Sequence, residues 1–140
     1  MKGFAAGVVA TVWKTAAAIT GRRQGLTALP TPFPRALTER LVGEDAPEGP
    51  KLLAATVSHL GYGGTMGVAF ALLQPRGGAV RGAAWGAFLW VIQQTVFFPF
   101  VGWGPFGRDL SREASLETLW HHLVYGLVLG VLIRDGPEDR

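Results

Sequence analysis

Charged residues are nearly absent from four long stretches of this chain, and their segregation constrains the fold more than any other feature. Only 16% of the 140 residues are charged, against about 25% in typical soluble domains. A bilayer excludes charge across about 20 residues at a time, whereas a soluble domain carries charge on every surface element. The four stretches are 3–20, 52–73, 80–101 and 116–133.

Each stretch is long enough to span a bilayer. Lengths of about 18 to 22 residues match a hydrocarbon core of about 30 Å at about 1.5 Å per helical residue. The sequence therefore predicts an all-α, integral membrane four-helix bundle, with residues 1–140 forming a single transmembrane domain. A soluble bundle is disfavoured because buried soluble helices rarely run this long without a polar face. Lys14 also argues against a cleaved signal peptide over 3–20.

The segment 21–51 is the longest connection and is broken by prolines. Within it, "PRALTERLVG" predicts a short helix, because Pro34 suits a helix start and Gly43 suits a helix end. This helix has an apolar side that would rest on the membrane interface or cap the bundle, and both interpretations remain open.

The distribution of basic residues predicts that both termini are cytoplasmic. Four crossings place both termini on one side. The short loop between the second and third stretches carries Arg76 and Arg81 without an acidic residue, and Lys2 and Arg134 lie on the same side. The positive-inside rule weights such short loops most strongly. Arg22 and Arg23, which follow the first stretch, favour the opposite orientation.

The chain also contains an internal duplication. "HLGYGGTMGVAF" from His59 matches "HLVYGLVLGVLI" from His122, and "KGFAAGVVATVWK" from Lys2 matches "RGAAWGAFLWVIQ" from Arg81. The second match aligns Lys14 with Gln93. We therefore predict two similar helical hairpins, related as a parallel repeat.

Helical spacing places a polar residue on each glycine stripe. His59, Gly63 and Gly67 share one helix face, as do their counterparts after His122. Small residues at this spacing let membrane helices approach closely, so the polar residue on the same stripe faces the bundle interior. The spacing predicts a buried polar layer in the outer half of the membrane, formed by Lys14, His59, Gln93 and His122.

Three interpretations of this layer remain open. It binds or moves a proton or a small ligand, as intramembrane ionisable groups often do. Alternatively, it only holds the helices together, and the chain is a structural or accessory subunit. Bis-histidine haem ligation by His59 and His122 is the weakest interpretation. We expect no carboxylate in the spans to balance Lys14, so an anionic ligand or a neutral lysine would be needed.

Other classes of function lack support in the sequence. The net charge of +3 is too small and scattered for a nucleic-acid surface. The chain has no cysteine and no HExxH motif, so thiolate chemistry is excluded and a catalytic metal has no support. We expect no enzyme activity, no catalytic residue, no metal and no cofactor. The lipid bilayer is the expected partner, with a homo-oligomer or a larger membrane complex left open.

Several segments in order resemble a known family. "GVVATVWK", "LPTPFPR", "SHLGYGGTMGVAFAL", "GAAWGAFLWVIQQTVFFPFVGWGP" and "LWHHLVYGLVLGVLIRD" are similar to the YagU-like inner-membrane proteins of bacteria. The resemblance implies a multi-pass protein of the inner membrane with no established biochemical activity, for which a role in acid resistance has been suggested. This chain departs from the family in lacking cysteines and in having Gln94 where a histidine is expected.

Overall fold

The helices follow the charge-poor stretches closely. The computed structural model describes residues 2–134, which form five helices and no strand. The all-α prediction is confirmed. By length and composition, three of these helices are long and apolar enough to cross a membrane, namely α1, α4 and α5. The helices are α1 (Lys2–Arg23), α2 (Phe33–Val42), α3 (Glu48–Leu73), α4 (Ala79–Phe100) and α5 (Arg112–Arg134).

Helix α3 contains the predicted span 52–73 but is not among those three. It is 26 residues long and has no charged residue from Leu52 onward, so length and charge do not set it apart. Its glycines and the polar side chains of Ser58, His59 and Thr65 lower its mean hydropathy.

Helix α5 begins earlier than the predicted start at residue 116. The Ser111 hydroxyl accepts a hydrogen bond from the Ala114 backbone N–H at 3.2 Å, which is the contact that a serine N-cap makes. The helix consequently extends back to Arg112. Glu117 then lies inside the helix, where its side chain has a fixed direction.

Glycines bring the backbones of two helix pairs into contact. Helix α1 packs against α3, helix α4 packs against α5, and α1 also contacts α5. A Cβ added at Gly7 would meet the backbone oxygen of Gly63, and one added at Gly82 would meet that of Gly126. Only glycine permits this approach, which is how small-residue stripes bring helices together.

The two glycine interfaces repeat one pattern with an offset. Gly67 lies against the backbone of Gly3 and Gly7, and Gly130 lies against that of Gly78 and Gly82. These contacts align Gly7 with Gly82, whereas the sequence match aligns Gly7 with Gly86, one turn farther along. The contacts therefore place Leu89, and not Gln93, at the position equivalent to Lys14.

Helices α3 and α4 meet through aromatic side chains. The ring centroids of Tyr62 and Phe97 are 5.8 Å apart, and those of Phe70 and Trp85 are 6.0 Å apart. Rings are bulkier than glycines, so they hold these two helices farther apart than the glycine-packed pairs.

Helix α2 is joined by ion pairs and hydrogen bonds to residues near the start of α3 and the end of α4. Arg35 pairs with Glu48 of α3 at 3.0 Å, and Glu48 pairs with Lys51 at 2.9 Å. The Arg40 Nε atom donates to the Phe100 carbonyl at 3.1 Å. The Phe33 ring lies 6.0 Å from the rings of Phe97, Phe98 and Trp103. Helix α2 thus packs against the first turn of α3 and the last turns of α4.

Candidate functional site

All four residues of the predicted polar layer line the same cavities. Lys14, His59, Gln93 and His122, one from each long helix, border two cavities of about 170 Å³ and 230 Å³. A cavity needs only about 10–15 Å³ to hold one water. The structure therefore brings the four residues together around space for several waters or a small ligand.

Phe33 and Pro34, at the start of α2, border both cavities. The first cavity lies between α1 and α5, and its other polar lining residues are Thr15, Arg22, Glu117, Thr118 and His121. The second lies between α3 and α4, and its other lining residues are Leu37, Ser58, Tyr62 and Phe97. One side of the polar layer is therefore richer in polar groups, and the other is mainly aromatic and apolar.

Closely packed side chains lie below the polar layer, between the layer and the glycine contacts of the helices. The Tyr125 hydroxyl donates to the Gly63 carbonyl at 2.6 Å, and the Thr11 hydroxyl donates to the Gly7 carbonyl at 2.8 Å. A void of only about 10 Å³ remains beside Leu89. The two cavities therefore end at the level of these residues.

The ammonium group of Lys14 has no hydrogen bond or ion pair among residues 2–134. Glu117 lines the same cavity but is engaged elsewhere. Its carboxylate accepts from the Thr27 hydroxyl at 2.8 Å and from the backbone N–H groups of Ala28 and Leu29 at 2.7 and 3.3 Å. A partly buried ammonium without a counter-charge is costly in apolar surroundings, so this site favours an added anion.

His122 is held in one orientation. Its Nδ1 atom lies 2.8 Å from the Thr118 carbonyl oxygen. Because a carbonyl only accepts, Nδ1 carries the proton and, in the neutral ring, Nε2 is the acceptor. The Thr118 hydroxyl in turn accepts from Trp90 Nε1 at 3.2 Å and from Gln94 Nε2 at 3.4 Å. This network fixes the ring that borders the cavity.

A π-helical turn at Gln93–Phe97 turns two adjacent glutamines inward. The Phe98 N–H donates to the Gln93 carbonyl, five residues back, and Pro99 has no N–H to continue the α-helical pattern. Neighbours in a regular helix point about 100° apart, yet Gln93 is 5% exposed and Gln94 is fully buried. The Oε1 atoms of both lack a partner within the described residues, and a buried unpaired acceptor costs about 1–3 kcal/mol.

Sequence reasoning missed Glu117 and His121. The expectation that the spans offer no carboxylate near Lys14 is wrong, because Glu117 lies inside α5 and lines the first cavity. His121 is also buried and lines that cavity. The spacing of Glu117 and His121, four residues apart on one helix face, was the available signal.

No group of three or more histidine, aspartate or glutamate side chains is placed to hold a metal ion in the part of the chain that is described. Comparison of the chain with protein-family models, with curated proteins and with solved structures finds no match. Membership of the YagU-like proteins stays a prediction.

Proposed function

We propose that the chain is a multi-pass protein of the inner membrane, with α1, α3, α4 and α5 crossing as two glycine-packed hairpins and both termini in the cytoplasm. The apolar outer surface supports this. Trp13, Leu72 and Val80 are 61%, 78% and 84% exposed, and they come from three different long helices. Many further large apolar side chains on the long helices are exposed, among them Val12, Val57, Phe88 and Val131, and lipid solvates such side chains whereas water does not. Because Leu72 lies on α3, the exposed apolar surface includes this helix as well.

We further propose that the polar layer binds or moves a small ligand or a proton. The observation that carries this is the unpaired ammonium of Lys14 at a cavity shared with His59, Gln93 and His122. Polar groups that only join helices bond one another, since nearly all buried polar groups are satisfied. Here the Oε1 atom of Gln93 is buried without a partner among residues 2–134, and the partly buried Lys14 forms no ion pair among them.

The competing proposal is a structural or accessory subunit whose layer only joins helices. It is supported by bonds that do cross between helices, namely Tyr125 to Gly63 and Trp90 and Gln94 to Thr118. The two proposals differ over Lys14, which takes part in none of these bonds. Haem ligation by His59 and His122 stays a prediction that no contact favours in the described part of the chain.

The test is the thermal stability of Lys14→Met in mild detergent. Methionine keeps the length of the side chain and removes the charge. If Lys14 is kept for a ligand, its removal leaves stability unchanged or raises it, because an unpaired ammonium in apolar surroundings carries a desolvation cost that methionine does not. If Lys14 instead joins helices through bonds within the layer, its removal lowers the unfolding midpoint. Lys2→Met, exposed at the start of the same helix, is the matched control.

A further inference from the structure

We infer that the ligand of the polar layer is a single-chain amphiphile with one negative charge, of which a long-chain carboxylate is the simplest example. This inference rests on the proposed function and names its ligand class. Three features of the two cavities carry it: the charge, the donors and the apolar side.

One unit of negative charge completes the site. Arg22 at the edge of the first cavity is exposed and donates to the Leu29 carbonyl at 3.3 Å. Glu117 is satisfied by the 27–29 segment. Among the described cavity-lining residues, Lys14 is then the one partly buried cation without a protein partner. A monoanion neutralises it, whereas a neutral ligand leaves the ammonium uncompensated.

The donors around Lys14 suit a carboxylate head group. A carboxylate only accepts hydrogen bonds, through two oxygens, and an ammonium offers three donors. Gln93 and His59 line the same space, and an amide N–H and a ring N–H are the further donors that these residue types carry. Bonds between ionised partners are about twice as strong as neutral ones, so this group of side chains can hold the head in place.

The second cavity provides for a hydrocarbon chain. It leads from Lys14 into the space between α3 and α4, past Tyr62, Phe97 and Leu37. Ser58, at its edge, is exposed and Tyr62 is 37% exposed, so the cavity reaches the side of the bundle. In the proposed membrane orientation that side faces lipid, and a chain dissolved in the outer leaflet would enter here. The rings of Phe33, Phe97, Phe98 and Trp103 pack together beside α2 and cover the end of the second cavity.

The experiment measures binding of radiolabelled palmitate to the full chain in nanodiscs of neutral lipid. Competitors separate charge from chain: hexadecanol keeps the chain without the charge, and acetate keeps the charge without the chain. We expect saturable binding of about one palmitate per chain, with both competitors at least tenfold weaker than unlabelled palmitate. Lys14→Met should weaken binding at least tenfold, while Lys14→Arg and the control Lys2→Met should retain it.

The outcomes separate this inference from the proposed function. Acetate competing as well as palmitate, with both dependent on Lys14, overturns the amphiphile and leaves a binding site for a small soluble anion. Palmitate binding that is absent, or is unchanged in Lys14→Met, overturns the inference. If Lys14→Met also lowers the unfolding midpoint, the proposed function fails with it. Circular dichroism and gel-filtration elution confirm that each variant is folded, and Lys14→Arg tests the charge if the methionine variant is not.

Discussion

The glycine contacts between α1 and α3 make a quantitative prediction for Gly67→Ala. The new methyl group would meet the Gly3 carbonyl oxygen, the Gly7 Cα atom at 2.7 Å and the Gly7 nitrogen at 2.9 Å. Gly61, on the same helix, has nothing within 4 Å of an added Cβ. The two positions therefore form a matched pair in which the same substitution is crowded at one site and free at the other.

The expected difference follows from the geometry. Carbon atoms pack best at about 3.5–4.0 Å, so the contact with Gly7 Cα is about 1 Å too short, and the obstructing atoms are backbone that cannot rotate away. Overpacking of this kind costs about 1–3 kcal/mol. Alanine gains up to about 1 kcal/mol of helix propensity over glycine, but both variants share that gain. Gly67→Ala should thus be about 1–3 kcal/mol less stable than Gly61→Ala.

The assay is unfolding in one detergent, followed by far-ultraviolet circular dichroism on the unmodified chain and the two variants. Gly61→Ala should match or exceed the unmodified chain, and Gly67→Ala should unfold at a lower temperature than Gly61→Ala. Equal midpoints for the two variants would refute the close approach of α1 and α3. That result would also remove the reason that Lys14 and His59 border one cavity.

Three further predictions concern topology and the first loop. The chain has no native cysteine, so single cysteines report on the side of the membrane. In intact cells, a membrane-impermeant maleimide should label Asp45→Cys but not Arg76→Cys, because the proposed orientation places residue 76 in the cytoplasm. The reverse labelling pattern would invert the topology. Glu117→Gln weakens the charged hydrogen bonds that the carboxylate accepts from the Ala28 and Leu29 N–H groups, each worth about 1.5–3 kcal/mol. Limited proteolysis within 24–32 should therefore become faster. An unchanged cleavage rate would show that Glu117 does not hold this segment in place. Bonding to Lys51 lowers the pKa of Glu48 below its ordinary 4.5. The carboxylate therefore stabilises the fold above pH 4.5, and this contribution is lost as pH falls through the lowered pKa. Glu48→Gln should reduce the loss of stability in that pH range, and an unaltered dependence of stability on pH would count against the ion pairs.

The positions of the long helices and the members of the polar layer were predictable from sequence for simple physical reasons. Charge is excluded from long apolar helices, so its absence marks them, as with 52–73 inside α3. A residue four positions before a packing glycine lies on the same helix face as that glycine. His59 and His122 therefore lie on the packed faces of their helices, beside Gly63 and Gly126.

What escaped prediction depends on contacts between distant residues. The bond from Ala28 to Glu117 joins residues 89 apart, and no local pattern marks such a pair. The π-helical turn that buries Gln94 beside Gln93 depends on Pro99 and on the packing of the whole helix. The one-turn offset between the glycine interfaces is set by backbone contacts of Gly78 and Gly82, which sequence matching does not weigh.

The most direct test of the proposed ligand cavity between membrane-spanning helices is the reaction of single cysteines with a small water-soluble methanethiosulfonate in nanodiscs. The cysteine-free chain allows His59→Cys to be compared with Phe88→Cys. Phe88 is 51% exposed and His59 is partly buried. Lipid would cover position 88, in the middle of the predicted span 80–101, while water reaches position 59, and only a hydrated thiol ionises to react. We expect position 59 to react at least tenfold faster. A faster or equal rate at position 88 would contradict a hydrated cavity at the polar layer.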